Sequence, residues 1–191
     1  MALHVSGADY EHREIILRDK PDSMLTASPK GTVPVFIKDD GEVIDESLDL
    51  ALWALKQADP LGWLNGYDAA LVSQNDGPFK HHLDRYKYAS RYDKDAARGA
   101  VDYSHRVKAE IILSQLNQRL EQHNYLTGQT QNFTDIAIFP FIRQFAAVET
   151  DWWQAAPFPA LREWLTQHVN ADFFKAVMAK HPLWSDQEIA I

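Results

Sequence analysis

The segment Ser28–Ser47, SPKGTVPVFIKDDGEVIDES, constrains the fold of this chain more than any other stretch. Pro34 sits at the head of a β-branched and aromatic run, residues 33–37. The turn residues Asp39-Asp40-Gly41 then let Glu42-Val43-Ile44 pair back on that run as a hairpin. From Asp45 the period becomes helical, with Leu48, Leu52 and Leu55 recurring at helix spacing. The acidic, hydroxyl-bearing start Asp45-Glu46-Ser47 suits a helix N-terminus, where side-chain oxygens cap free amides. This helix is expected to end near Asp59-Pro60. Upstream, residues 11–17, EHREIIL, read as another short strand, so the first part of the chain is mixed α/β.

Residues 59–68, DPLGWLNGYD, mix Pro and Gly with polar residues as connections between folding units do. They divide the chain into a first domain over 1–58, a linker over 59–68 and a second domain over 69–191. Strand alternation is lacking after the linker, so the second domain is read as all-α. Its most regular helix is expected over 104–123, with Val107, Ile111, Leu116 and Leu120 as the buried face. Asn132-Phe133-Thr134-Asp135 carries the spacing of a capping box. The helix it opens, IAIFPFIRQFAAV, is apolar on nearly every side except Arg143 and Gln144, as suits the centre of a bundle.

Composition narrows the function. Nineteen Lys and Arg against 27 Asp and Glu give a net charge of −8, a net repulsion that any nucleic-acid role would have to overcome, so nucleic acid is not expected as a partner. The chain has no cysteine, which removes disulfides, thiolate-ligated zinc and thiolate catalysis by the polypeptide itself. The start, MALHVSGADY, lacks the features of a signal peptide. The longest apolar run, residues 136–142, falls short of the roughly 20 residues that cross a bilayer. A cytoplasmic protein without a membrane partner is therefore expected. His81 and His82 are adjacent, and helix neighbours point about 100° apart, so no metal site is expected there.

Two regions could carry chemistry. Lys80–Arg98 is a basic stretch that also holds Tyr86, Tyr88 and Tyr92. It reads either as a solvated helix face or as a wall that attracts a small anionic substrate and stacks its apolar part. In the first domain, a cis Val33-Pro34 bond would turn the Val33 backbone outward to pair with an extended, peptide-like ligand. The helix start with Ser47 could hold a carboxylate and Glu46 an ammonium, which together match an amino-acid head group. Taken singly, Pro34 can be a residue that opens a strand, and Asp45-Glu46-Ser47 a helix cap.

Taken together, these motifs resemble the glutathione transferase family over nearly the whole chain. KPDSMLTASPKGTVPVF resembles the approach to the third strand of its thioredoxin-like domain. IDESLDLALWAL resembles its glutathione-binding helix start, and NFTDIAIFPFI the capped core helix of its all-α domain. Bacterial members similar to the omega and beta classes are the closest in pattern. The resemblance implies an α+β fold, with a thioredoxin-like N-terminal domain followed by an all-α helical domain. It also implies glutathione as co-substrate, a small electrophile as second substrate, and a homodimer. In it, Lys20 of RDKP reaches the glycine end of glutathione, Val33 pairs with the cysteinyl backbone, and Glu46 and Ser47 hold the γ-glutamyl head. Tyr86, Tyr88 and Tyr92 are candidates for the electrophile side.

The amino terminus departs from the pattern. MALHVSGADYEHREIIL resembles the end of the family's first helix followed by its second strand. The first strand, and the Tyr, Ser or Cys segment that activates the glutathione sulfur, have no counterpart, so the catalytic residue is unknown. An incomplete sheet with open edges favours pairing with another chain. Three readings stay open: a glutathione-conjugating enzyme, a non-catalytic glutathione-binding or self-associating protein of the same fold, and a shortened, inactive reading frame.

Overall fold

The computed structural model describes residues 1–184. They form two compact units, one of residues 1–61 with the segment from Asp172 onward, the other of Gly62–Ala171.

The first unit contains α1 (Ala2–Ser6), α2 (Asp22–Ala27), β1 (Phe36–Ile37), β2 (Val43–Ile44) and α3 (Ser47–Gln57). It is completed by α10 (Asp172–Val177). β1 and β2 are antiparallel, with Phe36 opposite Ile44 and Ile37 opposite Val43. The Gly41 N–H donates to Lys38 C=O at 2.9 Å, and the Lys38 N–H to Glu42 C=O at 2.9 Å. Gly41 itself has φ 84°, the left-handed residue that closes a three-residue hairpin loop. Leu50, Ala54 and Leu55 bury one face of α3, which packs on α1. Phe36 of β1 meets Trp53 of α3 with ring centroids 4.9 Å apart.

Residues 11–17 are not a strand. Among the described residues they make only single-residue bridges, Glu14 to Leu183 and Ile16 to Asp19, because no neighbouring strand offers them a ladder. Glu14 C=O instead accepts the Trp184 N–H at 2.8 Å. The sheet is therefore two-stranded, the small thioredoxin-like form of the expected α+β fold.

The second unit contains α4 (Ala69–Gln74), a π-helical turn (Asn75–Phe79), α5 (Lys80–Lys87) and a 3₁₀ turn (Ala89–Arg91). Four longer or packed helices follow: α6 (Tyr103–Gln122), α7 (Phe133–Ala146), α8 (Thr150–Ala155) and α9 (Pro159–Asn170). α7 is the core helix and carries the expected capping box. Asn132 Oδ1 accepts the Thr134 N–H at 2.9 Å, and Asp135 Oδ2 accepts the Asn132 N–H at 3.1 Å. Trp63, from the expected linker, is 1% exposed, and its C=O accepts the Phe133 N–H at 2.8 Å. The linker residues from Gly62 onward thus belong to the helical unit, whereas the chain from Asp172 groups with the first unit.

The face expected for α6 is corrected. Val107 and Ile111 are exposed, while Ala109, Ile112, Leu113, Leu116 and Leu120 are buried. Nine residues separate Val107 from Leu116, and at 3.6 residues per turn that is about half a turn away. These two residues therefore cannot share a face.

Candidate functional site

In the first unit, the chain approaching β1 is open to a ligand. The Val33-Pro34 bond is cis and Val33 is 51% exposed. Among the described residues, neither the N–H nor the C=O of Val33 has a hydrogen-bond partner. Val33 lines a largely apolar cleft of about 420 Å³, together with Tyr10, Met24, Phe36, Leu50 and Trp184. Tyr10 is the one phenol in that lining, and sequence reasoning passed over it.

Ser47 opens α3, and Glu46 precedes it in extended conformation without a side-chain cap. The expected capping by side-chain oxygens is thus absent, which leaves the first-turn amides of an eleven-residue helix without intrahelical partners. The acidic residues are drawn aside by a network that the sequence did not signal. Ser28 Oγ donates to Asp45 Oδ2 at 2.7 Å, and Lys30 Nζ donates to Asp45 Oδ1 and Glu46 Oε1, each at 2.9 Å. The Lys30 ammonium, and after it the Ser28 hydroxyl, hold the Asp45 carboxyl below the usual carboxylate range. These partners lie fifteen to seventeen residues apart in the chain, beyond any local spacing rule. The Lys20 stem runs beside Gly31, where a Cβ would lie 3.8 Å from Lys20 Cδ. Lys20, Val33, Glu46 and Ser47 all belong to the first unit.

The tyrosines belong to the second unit, and one expectation there is overturned. Tyr86 is 0% exposed, so it is a core residue and offers no wall to a ligand. Its hydroxyl donates to Glu149 Oε2 at 2.5 Å, and Arg106 Nη1 reaches the same oxygen at 2.8 Å. Burial, reinforced by the neighbouring carboxylate, pushes the Tyr86 phenol above its ordinary pKa. Burial works to raise the Glu149 carboxyl as well, but the hydrogen bonds from Tyr86 and Arg106 outweigh it and leave that group lowered. Tyr88 and Tyr92 do reach the surface. The guanidinium of Arg91 lies 4.0 Å from the centroid of Tyr88, and that of Arg85 lies 4.4 Å from the centroid of Tyr92. Much of the positive charge of the Lys80–Arg98 stretch is thus laid over its own aromatic faces.

α6 brings a third histidine to the adjacent pair. His82 Nδ1 lies 2.8 Å from His105 Nδ1. One ring nitrogen from each of His81, His82 and His105 falls within 4.8 Å of the others. Adjacency on one helix suggests that the His81 and His82 rings point apart, yet they meet edge-on with centroids 5.1 Å apart. It could not reveal a partner from another helix.

A small thioredoxin-like unit with an open helix start, followed in the chain by a helical unit built around a capped core helix, defines the glutathione transferase fold. Residues 1–62 match the glutathione S-transferase N-terminal domain, and residues 81–167 match the glutathione S-transferase C-terminal domain. The chain belongs to the glutathione transferase family. None of the curated proteins matches it. Among solved structures it is similar to a glutathione S-transferase from Rhodospirillum rubrum, with 21% identity and a TM-score of 0.68. That match covers 99% of this chain and 90% of the other. It is also similar to the bacterial glutathione transferase BphK in a ternary complex, with 19% identity and a TM-score of 0.72 over 93% and 90% of the two chains. The transferase URE2P6 of Phanerochaete chrysosporium, in complex with oxidized glutathione, shares 17% identity with a TM-score of 0.69, over 92% and 86% of the chains. No helix among the described residues is long and apolar enough to cross a membrane.

Proposed function

We propose that this transferase-like chain binds glutathione in extended form along Val33 and the start of α3. The observation that carries the reading is the unpaired, exposed backbone of Val33 beside an apolar cleft. An extended peptide laid there gains a donor and an acceptor without displacing any bond of the protein. The open first turn of α3 and the Ser47 hydroxyl would receive the γ-glutamyl carboxylate. Glu46 would exchange its Lys30 partner for the ligand's ammonium, replacing one cation by another. Lys20 would meet the glycine carboxylate.

Tyr88, half-buried, and Tyr92, exposed, are the electrophile-side candidates in this reading, each ring flanked by a guanidinium group. No thiol-activating group is assigned, and the chain supplies no thiol of its own. Catalysis would then consist of holding glutathione in place, and the same features support a binding protein with weak conjugating activity. RDKP and the Glu46-Ser47 pair favour the bacterial omega- and beta-like classes. A cytoplasmic homodimer is the proposed assembly, as the family pattern and the short sheet with its open edges suggest.

Calorimetric titration with glutathione and with cysteinylglycine, which lacks the γ-glutamyl head, tests the reading. Glutathione should bind and cysteinylglycine should not. Equal binding of the two would remove Glu46 and Ser47 from the site, and binding of neither would overturn the proposal.

A further inference from the structure

We propose that His81, His82 and His105 form a binding site for one divalent transition-metal ion of the Zn²⁺, Ni²⁺ and Cu²⁺ class, with water completing the coordination.

The fold builds this cluster. His81 and His82 lie in the first turn of α5, directly after the π-helical turn Asn75–Phe79. A π turn carries one residue more than an α-helical turn, which rotates everything after it by about 100°. His105 lies in the first turn of α6. That end of α6 is pinned to α5 by the backbone, since the Asp102 N–H donates to Tyr86 C=O at 3.2 Å. Asp102 Oδ1 also caps α6 by accepting the Ser104 N–H at 2.9 Å. Two ligands on one helix and a third on a packed neighbour are thereby fixed at the backbone level, before any ion is bound.

The spacing suits a metal. The 2.8 Å between the two Nδ1 atoms is close to the roughly 2.9–3.3 Å that separates neighbouring ligands on an ion with metal–nitrogen bonds of about 2.0–2.1 Å. Without an ion, one imidazole carries the Nδ1 proton and donates to the other. On binding, that ring passes to its Nε2–H tautomer, both Nδ1 lone pairs face the metal, and no net proton is gained or lost. His81 is the exposed member and has room to swing inward. Arg85 Nη1, 3.0 Å from His81 Nδ1, is the group it must leave. Three imidazoles without thiolate or carboxylate select borderline transition metals over Mg²⁺ and Ca²⁺.

The test titrates tag-free, chelator-treated protein with ZnCl₂ and NiCl₂ by calorimetry. Co²⁺ is added separately to record ligand-field bands. We expect one ion per chain, Co²⁺ bands that Zn²⁺ abolishes, and no heat with Mg²⁺ or Ca²⁺. His82→Ala and His105→Ala should each weaken Zn²⁺ binding by roughly tenfold or more. His12→Ala should leave it unchanged, although His12 stacks on His181 with centroids 4.0 Å apart. The Co²⁺ spectrum of the unaltered protein keeps the test decisive if a variant does not fold. Absence of binding at sub-millimolar metal would overturn the proposal, leaving His82 and His105 as a hydrogen bond between two helices. Binding that survives both substitutions, or is lost in His12→Ala, would overturn it as well.

Discussion

Lys30 Nζ stands 2.9 Å from Glu46 Oε1, so the carboxylate proposed to receive the glutathione ammonium already has a cation on it. Both side chains are largely solvent-accessible, and exposed ion pairs exchange partners at little cost. Lys30 is thus a competitor that a ligand must displace. Lys30→Gln should therefore tighten glutathione binding a few-fold at low salt, with the gain shrinking as salt screens the pair. Calorimetry at two ionic strengths reads this. Weaker binding in the variant would instead make Lys30 part of the ligand's own contact set.

Asp135 is 0% exposed and accepts three hydrogen bonds. They come from the Leu126 N–H at 3.0 Å, the Asn132 N–H at 3.1 Å and the Trp164 indole N–H at 2.9 Å. Asp135→Ala would leave three buried donors unsatisfied, each costing about 1–3 kcal/mol. A loss of at least about 3 kcal/mol in urea unfolding is expected, with Asp135→Asn falling between the two. A change below about 1 kcal/mol would contradict the role assigned to this residue.

His168 gives the second unit a sensitivity to acid. It is 1% exposed, and burial pushes its imidazole below the ordinary value of 6.5. Its Nδ1–H donates to Trp164 C=O at 2.8 Å, and Nε2 faces the Gln131 amide at 3.0 Å, the pattern of a neutral ring. The unfolded chain therefore binds the proton first. Stability from this group is complete above about pH 6.5 and is lost as pH falls toward the lower folded pKa. Thermal unfolding followed from neutral to acid pH, with chelator present, should show a smaller loss in His168→Gln than in the parent. An unchanged slope would rule out His168 as its source.

The hairpin and α3 were legible in the sequence because their determinants are local: turn residues at Asp39–Gly41, then a change of period at Asp45. The capping box at Asn132–Asp135 was legible for the same reason. The lack of a strand at 11–17 was not, since a strand exists only where another chain segment offers a ladder. Tyr86, Lys30 and the His105 approach depend on partners 15 to 63 residues away, which no window along the chain contains. Of the glutathione-side residues, Lys20 came from motif resemblance alone, whereas Val33, Glu46 and Ser47 were also suggested by their own chemistry, and the structure adds the unpaired Val33 backbone and the competing cation.

Catalysis should be weak. A free thiol has a pKa near 8.5, and no residue has been assigned to lower that of bound glutathione. Conjugation of chlorodinitrobenzene at saturating glutathione should exceed the uncatalysed rate only by what proximity supplies, with an apparent thiol pKa close to the free value. A robust rate with a clearly depressed pKa would contradict this. If that depression were abolished by Tyr10→Phe, the activating group would be the phenol of the Val33 cleft.

The most direct test of the glutathione site is calorimetry on the double variant Glu46→Ala, Ser47→Ala, with its fold verified by circular dichroism. Removing the ammonium partner and one carboxylate donor should weaken glutathione binding by roughly tenfold or more, since each is a hydrogen bond to a charged group. A folded double variant that binds glutathione as tightly as the parent would place the head group elsewhere and contradict the account.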